Sequence, residues 1–322
     1  MESLVTYSPS FTLVPTYECF NRCSYCNFRI EPGNGQWLDL EAAQSLLEAV
    51  KQQGVIEILI LSGEVHPRHS QRAAWFQHIY KLCTLAIDLG FLPHTNVGPL
   101  SYEELSQLKQ VNASMGLMVE QVTSKLMQTV HRHAPSKIPE VRLQQLEWAG
   151  RLKIPFTTGL LLGIGETEAD WQETLEAIAQ SHTRWGHIQE VILQPHSPGQ
   201  QQELDAPSFP SHRLPEVVRL AREILPWDVT IQIPPNLVNE PETMLACLRA
   251  GVRDLGGIGP VDEVNPDYPH PTPQRIRELI GIEGWILRPR LPVYAHYDDW
   301  LPAPMQQRVR DWRSRLEYAQ SS

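Results

Sequence analysis

The stretch Phe11-Thr-Leu-Val-Pro-Thr-Tyr17-Glu-Cys19-Phe-Asn-Arg-Cys23-Ser-Tyr-Cys26 joins a strand-like segment at residues 11–17 to three closely spaced cysteines. Their spacing is C-x3-C-x2-C, and no fourth cysteine lies near them in the sequence. Three thiolates on a short loop can hold three irons of a four-iron cluster, which leaves the fourth iron open. Because an open iron can bind a small molecule and pass it an electron, the stretch predicts a radical enzyme rather than an electron carrier.

A structural zinc site and a disulfide framework are the weaker interpretations of this triplet. Structural zinc normally takes four protein ligands, and the next histidine, His66, fits no zinc-finger spacing. A disulfide framework is typical of short secreted chains, whereas this chain has 322 residues, 5 cysteines and no recognisable secretory segment. The remaining cysteines, Cys83 and Cys247, lie among apolar residues at helical spacing, which favours a place in the core.

The composition describes an acidic chain with enough apolar residues for a sizeable core. Its 37 acidic and 27 basic residues give a net charge of −10, and 42% of its residues are hydrophobic. Nucleic-acid binding needs a basic surface, so we expect no nucleic-acid partner. The N-terminus does not read as a signal peptide, and no run of about 18 apolar residues could span a membrane. We therefore expect a cytoplasmic protein without membrane association.

Short apolar runs alternate with longer amphipathic segments, which is the pattern of parallel strands joined by crossover helices. Eight such units predict an α/β protein with a complete (β/α)8 barrel at residues 1–282. The rest, residues 283–322, is predicted to be a Pro-rich, aromatic C-terminal extension packed on the barrel, with a closing lid as the alternative. The segments between the strands include a helix predicted at residues 123–131. The strand-like runs are residues 11–17, 56–61, 92–97, 112–118, 156–162, 188–193, 229–233 and 252–258.

Glycines and prolines cluster just past the predicted strands, on the rim where barrel enzymes keep their chemistry. Tyr25, between the second and third cysteines, offers a ring face to a purine, with simple packing as the alternative. Gly63 and Glu64 follow strand two, where a carboxylate beside exposed backbone can accept hydrogen bonds from an amino group. Gly163 follows strand five and lets the backbone approach a ligand closely, whereas Glu166 is expected to cap the next helix.

Together these features resemble the radical S-adenosylmethionine (SAM) superfamily. Its members carry C-x3-C-x-aromatic-C after strand one, Gly-Gly-Glu after strand two and G-x-I-x-G-x-x-E at strand five. This chain departs from that pattern at Ser62 and Leu161, which replace a glycine and an isoleucine. The resemblance implies that Cys19, Cys23 and Cys26 ligate a 4Fe-4S cluster, whose open iron is chelated by the amino and carboxylate groups of SAM.

The same resemblance implies which residues meet the rest of SAM. Gly63 and Glu64 would contact the methionyl amine, and Tyr25 would meet the adenine. Leu162 and Gly163 would line the adenine pocket. The reduced cluster would then cleave SAM to methionine and a 5′-deoxyadenosyl radical.

Longer runs resemble one family within this superfamily, subunit 1 of 7,8-didemethyl-8-hydroxy-5-deazariboflavin synthase. The resemblance implies that the substrate is 5-amino-5-(4-hydroxybenzyl)-6-(D-ribitylimino)-5,6-dihydrouracil, made by a companion radical SAM subunit 2 from tyrosine and a ribitylaminouracil. It implies lyase chemistry, in which hydrogen abstraction, ring closure and loss of ammonia follow one another, with a separate reducing electron donor. A single C-x3-C-x2-C means that the chain corresponds to one subunit alone. The runs are residues 17–29, 58–67, 93–96, 131–137 and 256–270.

Such a substrate needs hydrogen-bonding groups for a uracil edge and a ribityl chain, and a group that moves protons as ammonia leaves. Several histidines and acids follow the predicted strands on the same rim, and histidine titrates near neutral pH. We expect His94, Asp262 and Glu263 to be catalytic, because they accompany strands three and eight. The alternatives are another radical SAM reaction, of the menaquinone-precursor or thiamine type, and a non-catalytic metal-binding module.

Overall fold

A closed barrel of parallel strands forms the centre of the computed structural model, which describes residues 3–238 and 240–321. Each strand pairs in parallel with the next one along the chain, and the first strand closes the ring by pairing with both the second and the eighth. The predicted (β/α)8 barrel is therefore confirmed. Its strands are β1 (Leu4–Leu13), β2 (Glu57–Leu61), β3 (Leu92–Asn96), β4 (Ser114–Gly116), β5 (Phe156–Leu162), β6 (Ile188–Pro195), β7 (Thr230–Gln232) and β8 (Asp254–Ile258).

Helices surround the barrel and bury their apolar faces against the strands, which forms one large core. Local signals start several of them: Asp39 caps the first helix, and Thr167 forms a capping box with Asp170 at the fifth. In the described residues, no helix combines the length and the apolarity needed to cross a bilayer. The helices are α1 (Leu40–Val50), α2 (Arg72–Asp88), α3 (Tyr102–Leu108), α4 (Pro139–Arg151), α5 (Glu168–Trp185), α6 (Leu214–Ile224), α7 (Pro241–Ala250), α8 (Pro273–Gly281) and α9 (Ala303–Ser321).

Two predicted elements differ from the structure by more than a few residues at their ends. The first strand begins at Leu4 rather than at residue 11, because its first half pairs with strands near the end of the chain, a partnership that local sequence does not reveal. The helix predicted at residues 123–131 is a short 3₁₀ turn, Ser124–Gln128. The chain turns after it and brings the His131 ring nitrogen to 3.0 Å from the Tyr25 hydroxyl.

A ninth strand, β9 (Ile286–Pro289), was not predicted, because its four residues lie in a Pro-rich segment without strand-like alternation. It pairs in parallel with the first half of β1. The chain after it buries Leu291, Val293 and Tyr297 against residues at the amino ends of β2, β3 and β4. The described part of the extension therefore lies at the end of the barrel opposite to the loops that follow the strands. The division at residue 283 stays a prediction.

A buried histidine just before β6 makes the stability of this fold sensitive to acid. His187 is 0% exposed, so its ring is shielded from water in the folded protein. Burial lowers its pKa to about 3, whereas an unfolded histidine has a pKa of about 6.5. Below that pH the unfolded chain binds a proton that the folded chain does not, so His187 makes stability fall as pH falls.

We expect the variant His187→Leu to lose less stability in acid than the wild type does. Below pH 6, the free energy of unfolding of the wild type minus that of the variant should fall by about 1.4 kcal/mol per pH unit. Urea unfolding at pH 7, 6 and 5 measures this difference. The matched control is His212→Leu, since His212 is exposed. Equal pH slopes for wild type and His187→Leu would contradict the assignment.

Candidate active site

One cavity of about 370 Å³ runs through the interior of the barrel. Its wall includes inward-facing residues of all eight barrel strands, and its rim includes the cysteine loop that follows β1. The loops after the strands and the barrel interior therefore share one space. This is the end of the barrel at which the sequence predicted the chemistry.

The three cysteines line this cavity as free, half-buried thiols. Backbone hydrogen bonds tie their loop to the segment around His131. Arg22 N donates to His133 O at 2.8 Å, and Ser24 N donates to Val130 O at 3.1 Å. The conformation of the cysteine loop is thus set by a segment more than 100 residues away in sequence.

The three thiols offer the donor set of an iron–sulfur cluster. In the described ranges, no three His, Cys, Asp or Glu side chains converge as the ligands of one ion would. Burial raises the pKa of Cys19 to about 11, with the charge of Glu64 adding to it, and burial raises the pKa of Cys23 to about 12. Binding iron must displace these protons. Three thiolates around one cavity edge fit a cluster with one open iron.

Glu64 lies beside the cysteines in a defined orientation. Its Oε2 accepts from Asn21 Nδ2 at 2.9 Å, and its Oε1 accepts from Arg142 Nη2 at 3.2 Å. The same Asn21 amide nitrogen is 3.7 Å from Cys19 Sγ. The Asn21 carbonyl oxygen accepts from Ser136 N, which fixes the amide. Glu64 is therefore a held carboxylate at the rim, next to the first cysteine.

Gly63 acts by close packing. Its N–H donates to Thr16 O at 2.8 Å, and a Cβ at this position would lie 2.2 Å from Glu18 O. We expect Gly63→Ala to push the cysteine loop away, lower the free energy of unfolding by about 1–3 kcal/mol and reduce the iron bound after anaerobic reconstitution. Urea unfolding and iron analysis measure the two effects.

The matched control for this glycine is Gly281→Ala at the end of α8. A Cβ there would meet no atom within 4 Å. We expect it to leave the iron content unchanged and to stabilise the protein by about 0.5–1 kcal/mol. Full iron loading of Gly63→Ala would show that the loop tolerates displacement.

Tyr25 is half-buried in the cysteine loop, lines the cavity and packs against Leu126, Val130, Leu161 and Ile164. Its hydroxyl is 3.0 Å from His131 Nε2. Burial raises the pKa of Tyr25 well above its usual range and lowers the pKa of His131 to about 3, so both rings are neutral near pH 7. One edge of Tyr25 is thus fixed by the imidazole.

A charged group near Tyr25 was not singled out from the sequence. Lys137 forms a short ion pair with Glu120, and its ammonium nitrogen is 5.9 Å from the centroid of the Tyr25 ring. Burial opposes ionisation of Glu120, but Lys137 and Arg142 outweigh it and lower the pKa of that carboxyl. Glu120 also has a φ of +67°, which is uncommon for a residue with a side chain. The run at residues 131–137 contained Lys137, but no local signal linked it to Glu120.

In the turn after β5, the Glu166 side chain has a different role from the predicted helix cap. Its carboxylate accepts from Gly163 N at 2.6 Å and from Ile164 N at 2.8 Å, while Thr167 caps α5. The prediction that Glu166 caps the helix was wrong, because a residue one position later holds the N-cap geometry. Leu161 lies in the cavity wall, whereas Leu162 and Gly163 do not line the cavity.

The three candidate proton carriers occupy different surroundings. His94 and Asp262 both line the cavity, but Glu263 does not and accepts from Tyr17 OH at 2.7 Å. His94 Nδ1 is 2.7 Å from Ser114 Oγ, and burial lowers the pKa of His94.

Asp262 is fully engaged with its own neighbourhood. Its Oδ2 accepts from Asn236 Nδ2 at 2.8 Å and from Asn265 Nδ2 at 3.1 Å, and its Oδ1 accepts from Val264 N and Asn265 N. The structure thus brings His94 and Asp262 to one cavity and uses Asp262 to hold the loop after β8.

Acidic side chains surround one arginine at the floor of the cavity. Arg290 donates from Nε to Asp254 Oδ2 at 2.6 Å and from Nη2 to Asp254 Oδ1 at 2.8 Å, and it also forms an ion pair with Glu190. Burial raises the pKa of Glu190 to about 7, against the lowering effect of Arg290. The sequence did not predict this cluster of Arg290 with Asp254 and Glu190, because Arg290 enters the barrel directly after the unpredicted β9.

Comparison with known families gives a match to the radical SAM superfamily over residues 13–178. Curated relatives named 7,8-didemethyl-8-hydroxy-5-deazariboflavin synthase match nearly the whole chain. The protein of Trichormus variabilis is 64% identical over 310 residues, which cover 96% of this chain and 91% of that protein. The protein of Trichodesmium erythraeum is 61% identical over 316 residues, which cover 98% and 99%.

Solved structures with the same fold are more distant in sequence. The FeFe-hydrogenase maturase HydG from Carboxydothermus hydrogenoformans superposes with a TM-score of 0.74 at 18% identity, covering 95% of this chain and 70% of that one. Methylornithine synthase superposes with a TM-score of 0.68 at 15% identity, covering 92% and 86%. At these identities the likeness concerns the fold alone.

Proposed function

The chain belongs to the 7,8-didemethyl-8-hydroxy-5-deazariboflavin synthases of the radical SAM superfamily, and from that premise we propose the reaction it performs. It is a radical SAM enzyme of deazaflavin synthesis, and its cofactors are a 4Fe-4S cluster and SAM. We propose that it acts as a carbon–nitrogen lyase on 5-amino-5-(4-hydroxybenzyl)-6-(D-ribitylimino)-5,6-dihydrouracil, closing the middle ring and releasing ammonia.

We also propose the partners and the compartment. The companion radical SAM subunit would supply the substrate, and a separate donor would supply electrons. The oxygen sensitivity of such a cluster favours the cytoplasm. These assignments rest on the family and on the chemistry of the cofactors.

Residues at the rim would hold the cofactors. When bound, the cluster and SAM supply the one-electron chemistry that removes a hydrogen atom from the substrate. Cys19, Cys23 and Cys26 would hold the cluster. Glu64, already oriented by Asn21 and Arg142, would accept hydrogen bonds from the amino group of SAM, next to Gly63.

The adenine of SAM would lie on the side of the cavity where Tyr25 packs. Tyr25 is fixed by His131, so its ring can serve as a rigid contact. Leu162 and Gly163 would shape this pocket from behind Leu161, since Leu161 itself lies in the wall. The positive φ of +93° at Gly163 allows the tight turn there.

Two groups are placed to move protons as ammonia leaves. His94 has its Nδ1 beside Ser114, and its Nε2 lies beside Gly116, where a Cβ would be 2.9 Å away. Burial lowers the pKa of His94 and keeps the imidazole neutral. Because Ser114 Oγ donates to Pro292 O, His94 Nδ1 donates to Ser114, and Nε2 keeps its lone pair as a proton acceptor. Glu190, with a pKa of about 7, can hold or release one near neutral pH. Asp262 and Glu263 would act by holding loops in place.

The observation that carries the proposal is a single cavity with three cysteines at its rim and polar side chains in its depth. The test is an anaerobic reaction of the iron-loaded protein with the purified precursor, SAM and a reductant. We expect 5′-deoxyadenosine, methionine, ammonia and a fluorescent deazaflavin to form together. Formation of 5′-deoxyadenosine without deazaflavin would indicate another radical SAM reaction instead.

A further inference from the structure

Four polar side chains face the cavity from different strands without a hydrogen-bond partner in the described part of the chain. Two of them, Glu57 and Gln232, are only 8% exposed. Burying a polar group without a hydrogen bond is unfavourable, and native proteins pair almost all such groups. Unpaired side chains in a cavity wall are therefore expected where a bound ligand supplies the missing hydrogen-bond partners. The four are Glu57 on β2, Asn96 on β3, Gln194 on β6 and Gln232 on β7.

Gln232 shows that the backbone makes room for one of these groups. It ends β7, and its side chain lies against Gly256 of β8, where a Cβ would be 2.2 Å from the amide nitrogen. Gly256 has a φ of +71°, a conformation that favours glycine. The neighbouring strand therefore accommodates the amide but gives it no partner. The amide therefore remains able to bond a ligand.

Three of these side chains differ in chemistry from the charged groups of the same cavity. The charges near the cysteines come from Glu64, Lys137 and Arg142, and those at the floor come from Glu190 and Arg290. Asn96, Gln194 and Gln232 are neutral, and each amide can both donate and accept hydrogen bonds. Such a set suits a neutral ligand with alternating donors and acceptors. A pyrimidinedione edge and a chain of hydroxyl groups have that character.

We propose that Asn96, Gln194 and Gln232 form the subsite that binds the pyrimidine ring and the ribityl chain of the substrate. Glu57, at the first position of β2, accepts a hydrogen bond from a hydroxyl or N–H group at the inner end of this subsite. This inference rests on the proposed function and names the residues that select its substrate. Binding of the pyrimidine and the ribityl chain in this subsite would direct the hydroxybenzyl group toward the cysteines, where the hydrogen atom is removed.

The test is calorimetric titration of the iron-loaded, SAM-bound protein with two probes, the dihydrouracil precursor and a ribitylaminouracil that lacks the hydroxybenzyl group. We expect Gln232→Met to weaken binding of both probes about tenfold, because it removes a hydrogen-bonding group and keeps the side-chain volume. The affinity for SAM should stay the same in Gln232→Met, since Gln232 pairs in register with Asp254 at the start of β8, away from the rim.

Gln194→Met is a second variant, used if the first fails to fold by circular dichroism, and we expect a similar loss. The matched control is Gln107→Met on α3, because Gln107 is exposed. If the wild type binds both probes and Gln232→Met or Gln194→Met binds them equally well, the subsite is wrong while the proposed function stands. If the wild type binds neither probe, the proposed function itself fails.

Discussion

Replacing Cys23 by alanine is expected to abolish formation of the deazaflavin, with turnover falling below detection, and the same holds for Cys19 and Cys26. A cluster that keeps only two protein thiolates loses a ligand that no neighbouring side chain can supply, since no other cysteine lines the cavity in the described residues. Iron per chain should fall together with the absorbance of the reconstituted cluster. The assay is anaerobic turnover with the precursor, followed by deazaflavin fluorescence and 5′-deoxyadenosine.

The control for this series is Cys247→Ala on α7. Cys247 is also a free thiol, but it is buried in the apolar core and away from the cavity. Its replacement should cost some stability and leave iron content and turnover near those of the wild type. Full activity in any of the three cavity variants would remove the basis for a three-cysteine cluster. Loss of activity in Cys247→Ala would show that the effect is not specific to the cavity.

The barrel could be predicted because each of its units is marked locally. Residues 156–162 form a short run without a charged side chain and become β5 with the same bounds, buried along its whole length. Regular alternation of strand and helix then determines the closed architecture. The cysteine spacing could be read for the same reason, since all three ligands lie on one loop.

The rest of the site depends on contacts between distant segments, which no local pattern marks. Glu120 meets Lys137 through a backbone conformation that is unusual for a glutamate. Asp262 was expected to act on substrate because it follows strand eight, yet its two oxygens hold Asn236 and the next loop. Sequence position indicated the right rim. It did not indicate which polar side chains are already satisfied by the protein and which remain available to a ligand.

Loss of the Arg290 guanidinium is expected to cause the largest loss of stability among single substitutions outside the cysteine loop. Arg290 is the cation shared by Asp254, which is 0% exposed, and Glu190, which is 3% exposed. Arg290→Met leaves these two buried carboxylates without their shared cation. Breaking a buried ion pair in this way typically costs about 3–5 kcal/mol. Urea unfolding of the variant and the wild type at pH 8 measures the difference. The control is Arg313→Met, whose pair with Asp298 is about one quarter exposed and should be worth about 1 kcal/mol or less.

The same substitution should also change how stability depends on pH. In the wild type, burial already raises the pKa of Glu190 to about 7, above the value of about 4.3 for an unfolded glutamate. Without Arg290 the pKa rises further, so the folded variant holds a proton over a wider pH range than the unfolded chain does. Stability conferred by that proton is lost as pH rises, and the cost of Arg290→Met should therefore be larger at pH 8 than at pH 5. A cost that does not change with pH would mean that Arg290 contributes through packing of its aliphatic stem, and that the carboxylates find other partners when it is gone.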